Sequence, residues 1–187
     1  MRTAITTKLG ILLLALTFAA GSFSFAPRAQ ASAASIDANA SETLNRFFRT
    51  VHNGRELANK AAAVLIFPSI VKAGFGIGGE YGEGALHVGG RSVAYYNLVS
   101  ASVGFQLGLQ TRSVIIMFMT QAALDNFRSR AGFEIGVDGS VALLTIGAGA
   151  QVNTDNIADP IIGFVFNNKG LMYNLTLEGS KISRINP

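Results

Sequence analysis

The sequence has no cysteine and no tryptophan, four prolines, two histidines and 14% charged residues. Without cysteine there are no disulfides, no thiolate metal site, no cysteine nucleophile and no cysteine-linked lipid anchor. The histidines, His52 and His87, form no H-E-x-x-H pair, and no serine lies in a G-x-S-x-G turn, so hydrolase signatures are missing. A lone histidine without a partnered base is read as a solvated or hydrogen-bonding residue. What the chain does have is apolar residues and glycine: 49% hydrophobic positions and 21 glycines over 187 residues, enough for one sizeable core and unlike a disordered composition.

The N-terminus reads as a targeting segment. Arg2 and Lys8 precede an apolar run from Leu9 to Ala20, and Ala29-Gln30-Ala31 is a small-x-small cleavage signal, which predicts a signal peptide over 1–31 cut after Ala31. No second long apolar run follows, so the expected product is an exported, periplasmic protein with at most peripheral membrane attachment. Losing Arg2, Lys8 and Arg28 leaves 12 basic residues against 11 acidic ones, a net charge of +1. That balance gives no support to nucleic-acid binding, and the aromatics follow core parity instead of alternating with basic residues. The charge is unevenly placed, however. Arg46, Arg49, Arg55, Lys60 and Lys72 face only Glu56 between 46 and 72, so the rest of the mature chain is net negative.

Hydrophobic periodicity divides the chain. Residues 32–40 are small and polar and read as a flexible lead-in to a domain over 41–187. Leu44, Phe47, Phe48 and Val51 then fall on one helical face, with Ser41 as the expected N-cap, and Asn53-Gly54 ends the helix. A second, alanine-rich helix is predicted from Arg55 to about Ala63; the pattern over Val64 to Phe67 fits helix or strand equally. Beyond Pro68 the chain reads as strands: Ser113 to Met119 is apolar on both faces and predicts a covered central strand. A short helix capped by Thr120 is inserted, with Leu124 and Phe127 on one side. Asp138-Gly139 predicts a tight hairpin between Phe133–Val137 and Val141–Ala150, and Asn167 to Gly170 a last hairpin from Ile161–Phe166 into Leu171–Leu177. The expected fold class is α+β: an antiparallel β barrel or sandwich of about seven to eight strands, with N-terminal helices and one short inserted helix.

The run from Lys72 to Gly84 (K-A-G-F-G-I-G-G-E-Y-G-E-G) organises that sheet. Gly74, Gly76 and Gly79 satisfy G-x-G-x-x-G, but turn and strand formers follow where a dinucleotide site needs a helix. Parity gives the better reading. Gly74, Gly76, Gly78, Gly82 and Gly84 share one strand face, and Phe75, Ile77 and Tyr81 the other, so the bare face admits a second backbone or a sharp bend. Glu80 and Glu83 fall on opposite parities, which argues against a paired-carboxylate site. Asp155 and Asp159 with Asn153 and Asn156 miss the calcium-loop spacing and read as a solvated loop. No cofactor, metal or catalytic residue is expected, and the chain is read as a non-enzyme.

Four blocks in order carry a family resemblance: A-A-A-V-L-I-F-P-S-I-V-K-A-G-F-G-I-G-G-E-Y-G-E-G, then Ala101 to Gly108 (A-S-V-G-F-Q-L-G), then F-R-S-R-A-G-F-E-I-G-V-D-G-S-V-A-L, and finally Lys169 to Ser180 (K-G-L-M-Y-N-L-T-L-E-G-S). The chain resembles the SYLF lipid-binding family from about Ser41 to Arg184, most closely its bacterial exported branch. The resemblance implies membrane-lipid binding, with phosphoinositides as ligands in eukaryotic members and an actin-regulating role in some fungal ones. The family's basic amphipathic N-terminal segment corresponds here to Leu44 to Lys72, which makes Arg46, Arg49, Arg55, Lys60 and Lys72 the expected lipid-binding residues and an anionic phospholipid surface the expected partner. An exported protein meets neither actin nor, in a bacterium, the usual phosphoinositides, so the lipid identity does not transfer. The alternative is an envelope structural or protein-interaction module whose glycine-lined face or strand edge pairs with another protein.

Overall fold

The computed structural model describes residues 31–146, 159–169 and 177–187, and of 74–77, 102–109 and 167–169 the backbone alone. In chain order the elements are α1 (Ala33–Thr50), α2 (Gly54–Lys60), β1 (Ala63–Val88), β2 (Arg91–Phe118), α3 (Gln121–Arg128), β3 (Gly132–Glu134), β4 (Ala142–Thr145), β5 (Ile161–Lys169) and β6 (Lys181–Ile185). The expected leader and the approach to its cleavage point lie outside the described residues.

β1 and β2 form one long antiparallel hairpin. Its two-residue turn has Gly89 at φ 57° and Gly90 at φ 79°, the left-handed pair that a type I′ hairpin turn demands and glycine supplies without strain. β2 is the central strand. β1 lies along one edge, while the other is shared by β6 against Tyr95–Val99 and β5 against Thr111–Phe118, with β3 added to β6 and β4 to β5. Every pair is antiparallel except β4 with β5. The result is an α+β fold around a curled half-barrel sheet, with six strands among the described residues.

The curl starts in β1. Phe67 pairs with Val114 and Ile70 with Arg112, so Pro68 and Ser69 bulge opposite Ser113 alone. A bulge is where a strand tolerates proline, and Ser113 Oγ donates to the Pro68 carbonyl at 2.8 Å to close it. Downstream, β1 bends over its own beginning. A Cβ at Gly84 would lie 2.2 Å from the Ile66 carbonyl oxygen, and one at Gly82 2.9 Å from that of Ser69. The bare parity of the glycine run therefore receives backbone, as its pattern predicts at these two positions.

Two apolar layers sandwich the sheet. Inside the curl, Leu65, Phe67, Leu86, Leu98, Val114, Ile116 and Phe118 pack with Leu124 and Phe127 of α3. On the outer face, Val64, Ile66, Ile115, Met117, Ile162 and Phe164 receive α1 and α2. Residues 114–118 alternate between these layers, which is why that stretch is apolar on both faces. Thr120 caps α3 by accepting from Ala123 N at 3.2 Å, as its sequence predicts.

Three expectations need correction. The lead-in over 32–40 is the start of α1. Ser32, not Ser41, is the N-cap, accepting from Ser35 N at 3.3 Å, and Ile36 and Ala40 extend the buried stripe toward Thr43 and Phe47 at helical spacing. Ile36 is the one large apolar residue over 32–40, which leaves the stripe with little contrast. Second, among the described residues Asp138-Gly139 closes no hairpin into 141–146. The left-handed residue is Gly136 (φ 92°), and Asp138 is committed to Glu134 N at 2.8 Å and Arg130 at 2.7 Å, so β3 pairs with β6 while β4 joins β5 in parallel. Third, β6 was not anticipated at all. The second strand of the expected last hairpin falls mostly on 170–176 and, like the loop around Asp155, lies outside the described residues. The ambiguous stretch Val64 to Phe67 is strand.

Candidate functional site

The basic residues expected to meet lipid separate into two groups. Arg46 and Arg49 lie near the C-terminal end of α1, off its buried stripe, and Arg55 and Lys60 lie on α2, which follows directly. Arg46 is paired with Glu42 at 2.6 Å and Lys60 with Glu56 at 2.7 Å, each one turn apart and solvent-exposed. Such pairs contribute only about 0.3–0.5 kcal/mol, so their cations remain available to a stronger anionic partner. Arg55 lies over the Phe48 ring, 4.4 Å from its centroid, which holds the guanidinium against the surface without neutralising it. The underlying stripe is committed to the fold. Phe47 and Val51 are fully buried, Phe47 packs 4.9 Å from Phe164, and Leu44 and Phe48 are half-buried at its margin.

Lys72 does not belong with them. It points into the curl toward Glu80 (3.4 Å), which also takes Arg112 at 2.5 Å. Both Glu80 and Arg112 are buried, at 6% and 4% exposure, so two cations and one carboxylate share a desolvated interior. Burial lowers the Arg112 pKa and Glu80 opposes that shift. The alternation that separates Glu80 from Glu83 is real: Glu83 lies on the other side, accepting from Tyr81 Oη at 2.5 Å and Ala31 N at 3.1 Å. Composition did not reveal the interior charge cluster. The only signal was a charged residue at each end of a glycine strand, on the parity that turns inward.

His87 is buried, which rules out the solvated half of its expected reading as a solvated or hydrogen-bonding residue. It is 7% exposed, faces the helical layer, and its Nε2 has no hydrogen-bond partner among the described residues. Burial lowers its pKa, opposed by Asp37, which favours the neutral imidazole. Asp37 itself accepts from Tyr95 Oη at 2.9 Å, tying the start of α1 to β2 and raising the tyrosine pKa through that hydrogen bond. His87 also lines a cavity of about 290 Å³ between α1, α2, the start of β1 and the Gly89–Gly90 turn, with Phe48, Arg55 and Asn59 on its helical side. Among the described residues no three acidic or histidine side chains gather to hold a metal, and no helix is long and apolar enough to cross a membrane.

Residues 99–186 match the family model described as Ysc84, "Las17-binding protein actin regulator". This segment is similar to the SYLF-type family. The match takes in the second part of β2 and everything through β6. α1, α2 and β1, which carry the exposed cations, Lys72, Glu80 and His87, precede the matched residues. No curated protein matches the chain.

Proposed function

We propose that this protein is a non-enzymatic, peripheral lipid-binding protein of the cell envelope, exported by its N-terminal leader and contacting anionic phospholipid through Arg46, Arg49, Arg55 and Lys60. The observation that carries the reading is the exposure of these four cations on α1 and α2, in a chain whose residues 99–186 are similar to the SYLF-type family. The family is associated with lipid binding and with actin regulation; for a protein carrying an export leader the lipid side is the applicable one.

The contact is electrostatic. A cation near an anionic membrane contributes about 1 kcal/mol and the effect fades within a Debye length, so four give at most about 4 kcal/mol, less what Glu42 and Glu56 take back. Phe47 and Val51 are not free to enter the bilayer while they hold α1 to the sheet, which leaves the half-buried Phe48 and Leu44 at the rim. Attachment is therefore weak, reversible and salt-sensitive.

Flotation with phosphatidylglycerol or cardiolipin vesicles tests this, with phosphatidylcholine as control. Wild type floats with anionic vesicles at low salt and is released as salt rises. The triple variant Arg46→Glu, Arg49→Glu, Arg55→Glu stays folded and remains in the load fraction. Unchanged flotation of the folded variant refutes the surface assignment. One observation favours a second reading as an envelope protein-interaction module: β1 pairs only with β2 among the described residues, leaving its outer edge for strand addition by a partner. A wild type that ignores all vesicles yet retains an envelope partner decides for that reading.

A further inference from the structure

We infer that Glu83, oriented by Tyr81, is a docking site for the α-ammonium group of the processed chain itself, so that removal of the leader ties the N-cap of α1 to β1. This goes beyond lipid binding and rests on the export reading only for the cut after Ala31.

Alternation along β1 builds the site. Tyr81 and Glu83 share one strand parity, and Gly82 between them turns the other way, against Ser69 and Ile70. The Tyr81 hydroxyl donates to Glu83 Oε1 at 2.5 Å, which leaves Oε2 to accept from Ala31 N at 3.1 Å. Both donors are neutral. Among the described residues no lysine, arginine or histidine pairs with Glu83, although its side chain is half-buried, and a carboxylate so placed gains more from a charged donor than from an amide. The expected cut supplies one. It falls between Ala31 and Ser32, immediately before α1, and turns the Ser32 amide into an ammonium one peptide unit from the group that Glu83 already holds. A cation there needs an anion, because the start of an 18-residue helix is the positive end of its dipole and the first turn of α1 contains no acidic residue. Asp37, the first acid of α1, is committed to Tyr95 of β2. Glu83 is in place for the task, and the cavity of about 310 Å³ that it lines with Ala31, Ile36 and Val71 gives the shortened terminus room to turn toward it.

The test begins with the intact mass of protein purified from the envelope fraction, which is expected to start at Ser32. The pH dependence of acetylation of its α-amino group, read by mass spectrometry of the N-terminal peptide, then gives the titration of that group. Folded wild type is expected to hold the proton roughly threefold more tightly than an ordinary α-amino group, above the usual range of about 7.7–8.0, and Glu83→Gln to return it to that range. Stability from the pair is present below the unfolded amine's value, about pH 8, and is lost as pH rises through the folded one. Acetylation supplies a readout of opposite sign. Removing the charge lowers the urea midpoint of wild type, whereas in Glu83→Gln it holds or raises the midpoint, because a bare cation at a helix start is unfavourable. The two wild-type measurements decide the matter alone if Glu83→Gln does not fold. A wild-type amine that titrates in the ordinary range, or a wild-type midpoint that rises on acetylation, overturns the site and leaves export standing. A chain that still begins at Met1 overturns the site and the export reading together, and cleavage at another bond overturns the site alone.

Discussion

Gly84→Ala adds one methyl group where β1 crosses itself. The new Cβ would lie 2.2 Å from the Ile66 carbonyl oxygen, 3.0 Å from its carbon and 2.7 Å from Phe67 Cδ1. Two of these three atoms are backbone, in a segment already paired to β2 through Ile66↔Ile115 and Phe67↔Val114, so no side-chain rotation relieves the clash. The two arms of the strand must separate by about 1 Å, and a close-packed interior resists this. Overpacking by a methyl group costs about 1–3 kcal/mol. Against that, replacing glycine restricts the unfolded chain and returns about 0.4–1 kcal/mol. With a backbone obstruction the upper part of the range applies, for a net loss of about 2 kcal/mol. For a domain of this size that lowers Tm by roughly 4–8 °C. Gly163→Ala is the control: its Cβ would meet Leu143 Cδ2 at 2.8 Å and Val141 Cγ1 at 2.9 Å, flexible groups in partly buried side chains that turn aside. Thermal unfolding followed by circular dichroism compares the two. If Gly84→Ala melts with wild type, or no lower than Gly163→Ala, the argument that the glycine face exists to admit backbone fails.

Two further predictions concern buried charge. Glu80→Gln leaves Arg112, 4% exposed, without its carboxylate and is expected to cost about 3–5 kcal/mol in urea unfolding; Glu80→Leu combined with Arg112→Met should recover most of that loss, and a double variant as unstable as the single one refutes the pairing. Burial holds the folded-state pKa of His87 below the ordinary histidine value of about 6.5, so the unfolded chain binds the proton first. Stability contributed by the neutral imidazole is complete above about pH 6.5 and is lost as pH falls through the folded-state value. His87→Phe should flatten that part of the profile between neutral and mildly acidic pH, and an unchanged slope assigns the acid sensitivity to other groups.

The parts of the fold legible in the sequence are those where one residue pattern has one physical outcome. Gly89-Gly90 between two apolar runs makes a left-handed turn, Thr120 ahead of Leu124 and Phe127 makes a capped helix, and a stretch apolar at every position from 114 to 118 needs cover on both faces. Legibility fails where the same signal serves a different partner. Asp138-Gly139 has hairpin composition, but the Asp138 carboxylate finds Arg130 and the Glu134 amide, and tertiary bonding overrides local turn preference. α1 starts early because isoleucine at 36 and alanine at 40 are both buried, and a stripe with one large apolar side chain over 32–40 has little amphipathic contrast to detect.

The basic segment between 46 and 72 shows why charge must be placed before it is counted. All five cations look equivalent along the chain, yet Lys72 sits beyond the bulge at Pro68, where β1 turns into the curl, and it serves Glu80 and the interior. The four that remain lie on helices whose apolar side is already occupied by Phe164 and Phe166, so the amphipathic stripe that suggests membrane insertion is used for folding. Once the stripe is buried, charge alone is too weak to give durable attachment. A second contribution has to come from the same surface, and Arg55, stacked over the half-buried Phe48, joins a charge to an apolar ring at that surface. Of the three arginines, its loss should therefore weaken vesicle binding most, and single substitutions Arg46→Gln, Arg49→Gln and Arg55→Gln compared at one salt concentration measure the difference. Equal losses at the three positions reduce the site to a uniform charged face.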